Sequence, residues 1–537
     1  MSTPPLPEWI AGRDAPSSGG QDFLGLRTAA QRIGYHLLDG VTSVTPQVRY
    51  LSLRSWILDI WWAQRRPEDR KELDAFARRV EAAVVLGNLL AGRNRENLVG
   101  GDKGVERFRS SEDPISLDPV VDTPANTIYK GAAEQLGLDT ARFGERVTAV
   151  NGLTPSRGAP LAAHLRSLAE ETALGRRLHT EGPSEHASRA DLKALGERLR
   201  LDRFQPEEVD LLCAALMPDA PQAGASPAAR AQELRRTGTW CALLWLGQSA
   251  EPTEGRLWAL ALDPARPSPP ALESVLDGWA LYLVRDVLVA AHEAVMRAVT
   301  LSLGRRGDEG KRSVPAAEVL AELASAEIEA PLRDLGLLAE GERCADLPLT
   351  ALAQRLVNRT STGLYTRGGL RWWHDDLHEE ALIGLCEGAP DRSLALLPLA
   401  WLLAERRARL GVEEGLADHR FLSPSGRIGM TQVVLPELDR LRAEGVSVLE
   451  AGLRLTRRTV DQHLRVAWAR MRQNARSDVA HLFVDGDRWR WRADFAAGRT
   501  NSRVYNAIRW GGQLGLWGSP TGAALLTRGL RTLEAER

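Results

Sequence analysis

The chain carries only ten histidines, and two of their settings have the spacing that chemistry asks for. In the string His374-Asp375-Asp376-Leu377-His378-Glu379-Glu380 the imidazoles stand at i and i+4. That spacing puts them on one helix face, where they can hold a divalent metal if a third ligand arrives from elsewhere. Asp375 fills the place that glutamate takes in the HExxH pattern and is one methylene shorter. Acids following Trp372-Trp373 also make an ordinary helix start that suits the macrodipole. The second setting is Arg285-Asp286 with His292, a histidine within reach of an arginine that steadies phosphate charge. Arg458 and His463 are another pair in the same loose range of spacings, and arginine is so frequent here that pairs of this kind arise by chance.

The residue patterns that cradle nucleotides or activate a nucleophile are missing. There is no GxxxxGK[ST] loop, no strand-linked GxGxxG and no GxSxG elbow. No cofactor is expected, and no residue is singled out as catalytic or as a committed metal ligand.

Charge is more informative in its distribution than in its total. The chain as a whole is at −1. Residues 451–537 hold 16 arginines against 7 acids, a local +9, so residues 1–450 carry −10. Such asymmetry points to an anionic partner for the basic part. Within it, Arg488, Arg490 and Arg492 alternate with Trp489 and Trp491. A strand with that pattern is basic on one face and aromatic on the other. On the following predicted helix, Thr500 to Gly512, the side chains offered to a groove are Arg499, Asn501, Ser502, Arg503, Asn506 and Arg509. Arginine and asparagine read guanine and adenine edges in pairs of hydrogen bonds, and a helix N-terminus favours phosphate. A solvated arginine face over a tryptophan core is the competing reading.

The elements that must position these groups read as mainly α with small β-hairpins, in several domains. Residues 1–21 are a Pro-, Gly- and Ser-rich leader without the apolar run of a secretory signal. Residues 22–180 form an N-terminal helical domain, 181–450 a helical middle, and 451–537 the basic C-terminal domain. In the long helix at 67–92, Gly87 weakens the pattern. Residues 93–122 read as a loop. The apolar run Trp279 to Leu303 is broken by Arg285, Asp286, His292, Glu293 and Arg297, so it reads as a buried helix rather than a membrane span. The four cysteines, Cys213, Cys241, Cys344 and Cys386, lie far apart, as in a reducing compartment. Cytoplasmic localisation is expected.

One string occurs twice. Gln135-Leu136-Gly137-Leu138 ends a predicted helix (125–135) and is followed by a strand-like stretch and the helix start Thr154-Pro155-Ser156-Arg157-Gly158. Gln513-Leu514-Gly515-Leu516 ends another, followed by Ser519-Pro520-Thr521-Gly522. Asp334-Leu335-Gly336-Leu337 is a third, less complete example. The arrangement resembles the second half of winged-helix domains, which implies winged-helix-like units near 124–170 and 476–537. In the C-terminal copy the wing has room for only a few residues, and a hairpin turning at Asp485-Gly486 precedes its helix.

Two further likenesses bear on function. Arg285, Asp286 and His292 resemble the loose R-x4-6-H pattern of HEPN-type ribonucleases. Leu24-Gly25-Leu26, then Leu37-Leu38-Asp39-Gly40-Val41-Thr42-Ser43-Val44-Thr45-Pro46, Arg49-Tyr50 and Trp56 resemble the opening of an uncharacterised class of bacterial proteins associated with anti-phage defence loci, with Asp39 where that class has proline. This likeness covers about 35 residues and implies a subunit of a defence complex. The leading expectation is therefore a non-enzymatic DNA-binding or adaptor subunit of a bacterial multiprotein complex, with DNA and other protein subunits as partners and no membrane. The alternatives are a helical enzyme, either HEPN-like or metal-dependent through His374 and His378, and a scaffold that binds only proteins.

Overall fold

The computed structural model describes residues 22–44, 47–96, 98–121, 123–143, 145–219, 226–263, 267–325, 327–359, 364–367, 370–373, 379–388, 392–414, 433–473 and 480–536. It is mainly helical, with small antiparallel sheets. The chain divides into two discontinuous compact units. One comprises Met1–Gly34 and Trp258–Asn501, the other Tyr35–Leu257 and Ser502–Arg537. The boundaries expected at 180/181 and 450/451 are not where the units part. The basic region 451–537 is itself split, at Asn501/Ser502.

The unit built mostly from 258–501 is organised on one helix, Glu273–Arg306, 34 residues long. It is apolar nearly all round, as a helix must be when neighbours cover every face. Among the described residues it belongs to the one helical stretch, Pro270–Arg306, long and apolar enough to cross a membrane, and 83% of that stretch's most apolar window is buried inside the protein. The helices Glu379–Gly388, Ser393–Glu414 and Val448–Gln473 pack around it. One of its buried charged groups, Glu293, is held from two sides. Arg27 Nε donates to Glu293 Oε1 at 2.5 Å, and Gly498 N donates to Glu293 Oε2 at 3.0 Å. The N-terminal segment is strapped to the Val448–Gln473 helix, where Gln462 Nε2 donates to Leu24 O at 2.9 Å.

In the other unit the centre is the helix Arg49–Ala63, with Tyr50, Trp56 and Trp61 buried. Its two arginines are buried as well. Arg49 pairs with Glu208 at 2.8 Å and Arg54 with Asp139 at 2.7 Å. The Arg70–Leu90 helix starts at Asp69, whose carboxylate accepts from the amides of Lys71 and Glu72. Gly87 does not end it. That glycine is where the helix meets Arg189–Arg198, so closely that a Cβ on Gly196 would lie 2.0 Å from the Gly87 carbonyl. The loop expected over 93–122 contains a helix, Gly101–Ser110, whose Gly104 faces Val85 and Leu89.

The repeated string has one physical identity in all three places. Gly137, Gly515 and Gly336 take φ of +68°, +65° and +66°. The following leucine amide donates back into the last turn, Leu138 to Ala133, Leu516 to Gly511 and Leu337 to Leu332, at 2.8–2.9 Å. These are left-handed glycine helix caps. In the first two, a hydroxyl accepts from the first glycine of the next helix: Thr154 Oγ1, ahead of the turn at 155–157, from Gly158 N, and Ser519 Oγ, the N-cap itself, from Gly522 N, both at 3.1 Å. A Cβ on those glycines would strike Leu138 O at 1.8 Å and Leu516 O at 2.0 Å. The copies differ in what separates cap from start. The first inserts the hairpin Asp139–Phe143/Arg146–Leu153. The second has no strand between Val504–Gln513 and Pro520–Ala535, so the wing expected there is absent: only Trp517 and Gly518 separate Leu516 from the Ser519 cap, too little chain to form one.

Substitution of Gly196 by alanine should cost about 1–3 kcal/mol in denaturant unfolding, since the methyl meets backbone and no side chain can give way. The matched change Gly131→Ala, with nothing within 4 Å, should be neutral or stabilising by up to about 1 kcal/mol. Equal effects at the two positions would refute the close crossing.

Candidate nucleic-acid interface

The hairpin Leu482–Asp485/Arg488–Trp491 forms as its sequence suggests, with Gly486 at φ +58° in the two-residue loop. Its register pairs Phe483 with Arg490 and Asp485 with Arg488 on one face, and Val484 with Trp489 and Leu482 with Trp491 on the other. Trp489 is 5% exposed and Leu482 fully buried, whereas Phe483, Arg488, Arg490 and Arg492 are exposed. The alternation therefore yields the expected basic face. A third strand, Val314–Pro315, joins along Arg488–Trp491. It carries the turn that precedes it, so Arg488 donates to Ser313 O at 2.6 Å and Arg490 Nε to Gly310 O at 2.8 Å. Arg492 lies over the Phe483 ring, 5.6 Å from its centroid. Neither Arg488 nor Arg490 is paired with a carboxylate among the described residues, so each is held in place while its charge stays available. Lys311 and Arg312 reach this sheet through a pairing 175 residues apart, and no local pattern announces that.

The second half of the candidate set fares differently. Arg499 is neutralised: it pairs with Glu380 and stands 3.8 Å from Asp286. Burial opposes its charge, yet the Glu380 contact outweighs this and raises its pKa. Burial likewise pushes the Asp286 carboxyl up to about 7. Asn501 is exposed, at the end of the same unit.

Ser502, Arg503, Asn506 and Arg509 belong to the other unit. Ser502, 3% exposed, donates to Glu254 Oε1 at 2.6 Å. Arg503, at φ +65°, donates to Val41 O at 2.8 Å and stacks 3.7 Å from the Tyr35 ring centroid. Asn506, 6% exposed, donates to Thr42 O at 2.6 Å. A side chain committed to a buried carbonyl is not available to a base edge, because leaving that group unpaired costs about 1–3 kcal/mol. Only Arg509 stays exposed and unpartnered among the described residues. The helix Val504–Gln513 is thus a packed helix whose groove-reading residues hold the protein together.

The histidine of the ribonuclease-like alternative is also structural. His292 is 1% exposed. Its Nδ1 faces Thr459 Oγ1 at 2.7 Å, and that hydroxyl already donates to Leu455 O. Nδ1 must therefore carry the proton and donate. Nε2 accepts from Trp401 Nε1 at 2.9 Å. No lone pair is left for a substrate, and burial lowers the pKa to about 3. His463 is similarly tied, to Phe23 O and to the amide of His481. His374 and His378 lie outside the described residues, and among the described ones no group of three or more metal-ligating side chains occurs.

Because both rings stay neutral when folded, with burial lowering His463 to about 4, the unfolded chain binds protons near pH 6.5 that the native state refuses. Stability from these sites is complete above about pH 6.5 and is lost as pH falls, toward about 4 for His463 and about 3 for His292. Histidine-selective NMR should show no ionisation of His292 between about pH 5 and 8; an inflection near the ordinary histidine value of about 6.5 would contradict the assignment. No protein-family model, curated protein or solved structure matches this chain.

Proposed function

We propose that the chain is a non-enzymatic, nucleic-acid-binding subunit of a bacterial multiprotein complex, working in the cytoplasm. Its contact with duplex DNA runs along the outer face of the 482–491 hairpin. The observation that carries this reading is the set of exposed guanidinium groups on one sheet face, two of them anchored by backbone carbonyls rather than by acids. Rigidly held charges that no carboxylate pairs, those of Arg488 and Arg490, suit a phosphate backbone: they position a duplex without reading its sequence. The likeness of residues 24–56 to defence-associated proteins supports anti-phage defence as the setting. The locked state of His292 counts against a ribonuclease, since neither ring nitrogen is open to a substrate.

With full-length protein, fluorescence anisotropy on labelled duplex DNA should give an affinity that falls steeply with salt. Changing Arg488, Arg490 and Arg492 together to alanine should lower the logarithmic salt slope by about 2–3, roughly one for each phosphate left without its arginine. A slope unaltered by the triple change, or binding indifferent to salt, would overturn this reading.

A further inference from the structure

We propose that the solvent face of the helix Val448–Gln473 is a separate surface for an unpaired nucleic-acid strand, with Trp468 as the platform on which a base stacks. It rests on observations independent of the hairpin. The helix buries Ala451, Leu455, Thr459, Gln462, His463 and Val466 on one side. Arg457, Asp461, Arg465, Trp468 and Arg472 recur at intervals of three and four residues on the other, a stripe about 22 Å long at about 1.5 Å per residue.

Trp468 is 65% exposed, the one tryptophan among the large apolar side chains exposed in the described residues. Six others, Trp56, Trp61, Trp240, Trp279, Trp401 and Trp510, are fully buried. Beside it Met471 is 39% exposed. Arg457 and Arg472 have no partner among the described residues, and Arg465 has only the nearby Asp461 carboxylate.

At its N-terminal end this stripe borders a cleft of about 360 Å³ against the helix Leu435–Ala443, with five arginines in its walls. Three of them are braced. Glu437 holds Arg440 at 2.7 Å and Arg458 at 3.0 Å, and Glu450 holds Arg454 at 2.7 Å, with Glu444 shared between Arg440 and Arg454. These acids offset most of the charge of the braced three. Of the other two, Arg457 is uncommitted and Arg465 faces only the Asp461 carboxylate beside it. Gln462 lines the cleft too; it is 2% exposed, and its Oε1 has no donor.

Guanidinium groups spaced along a track, with a flat aromatic ring set among them, match a polyanion whose bases are free to stack. A duplex hides its base faces and would leave Trp468 idle. An acidic polypeptide would use the arginines but gains little from a bare indole.

The test uses the full chain, a labelled mixed-sequence DNA strand of about 20 nucleotides and its duplex. Trp468→Ala should weaken single-strand binding by about 5- to 100-fold, the usual worth of one stacked base. Trp468→Phe should restore most of it, and duplex affinity should move by no more than about twofold in either variant. Arg457→Glu with Arg465→Glu should abolish single-strand binding at moderate salt. Because Trp468 and Arg457 are exposed and Arg465 is only half-buried, far-ultraviolet circular dichroism should be unchanged. Duplex binding that depends on Arg488, Arg490 and Arg492, without any single-strand binding, overturns this proposal and leaves the hairpin reading intact. Single-strand binding that tolerates Trp468→Ala overturns it too. So does failure to bind DNA while poly-glutamate binds, which would assign the face to an acidic protein. Single-strand binding lost with Trp468, beside duplex binding indifferent to the hairpin arginines, would sustain this proposal and remove the other.

Discussion

Two backbone carbonyls near the start of the chain, those of Val41 and Thr42, claim the side chains of Arg503 and Asn506 near its end. A third bond completes the clasp, with Val48 N donating to Gln513 Oε1 at 3.0 Å. Gln135 Oε1 accepts the matching bond from Gly40 N at 2.8 Å, so the glutamines ahead of Gly137 and Gly515 hold the chain at Gly40 and at Val48. Each bond contributes only about 1 kcal/mol net, but a buried carbonyl stripped of its donor costs more than that. The segment 502–537 is therefore an integral part of the unit formed by residues 35–257. What reads in sequence as the working half of a basic module is fastening.

The arginine bias follows the same logic. Arg49 with Glu208, Arg54 with Asp139, Arg236 with Asp39 and Arg27 with Glu293 are ion pairs in which the acid, and in the first three also the arginine, is at most 7% exposed. Pairs of this kind add little net stability over an apolar packing, yet breaking one strands a buried charge. They act as cross-braces that tie distant segments in one register. A guanidinium committed to a brace cannot also meet a ligand. Total arginine content is thus a poor guide to a binding surface, and the +9 of residues 451–537 is no exception, being divided between two units.

How much of this was legible depended on the range of the interaction. Local signals held: the hydroxyl cap at Ser519, the hairpin, which turns at Gly486-Asp487 one residue on from the expected pair, and the alternation of arginine with tryptophan that put Trp489 inside and Arg490 outside. Glycine is where local propensity says least about the fold. Gly87 and Gly452 weaken a helical pattern by propensity, yet both sit inside helices, because each lets another segment's backbone approach to where a Cβ would collide. Propensity describes the isolated helix, whereas packing decides the folded one. The likeness to a winged helix arose similarly. A glycine cap, a short span and a hydroxyl-capped helix start form a local string that does not encode whether a wing lies between them.

What the sequence could not express is which polar side chains are already taken, because the acceptors lie hundreds of residues away. Asn506 and Arg490 look alike as candidates for nucleic-acid contact. One is 6% exposed and committed to Thr42; the other is exposed and merely steadied by Gly310. The same criterion isolates Arg457 and Arg472, which no motif distinguishes from the many other arginines. A guanidinium with neither acid nor carbonyl is stabilised in the folded state chiefly by water, so an arriving phosphate has only that water to displace. An exposed indole beside it is likewise a surface folding leaves wet. Function in this chain is better sought among the groups that folding did not use than among those most abundant in the sequence.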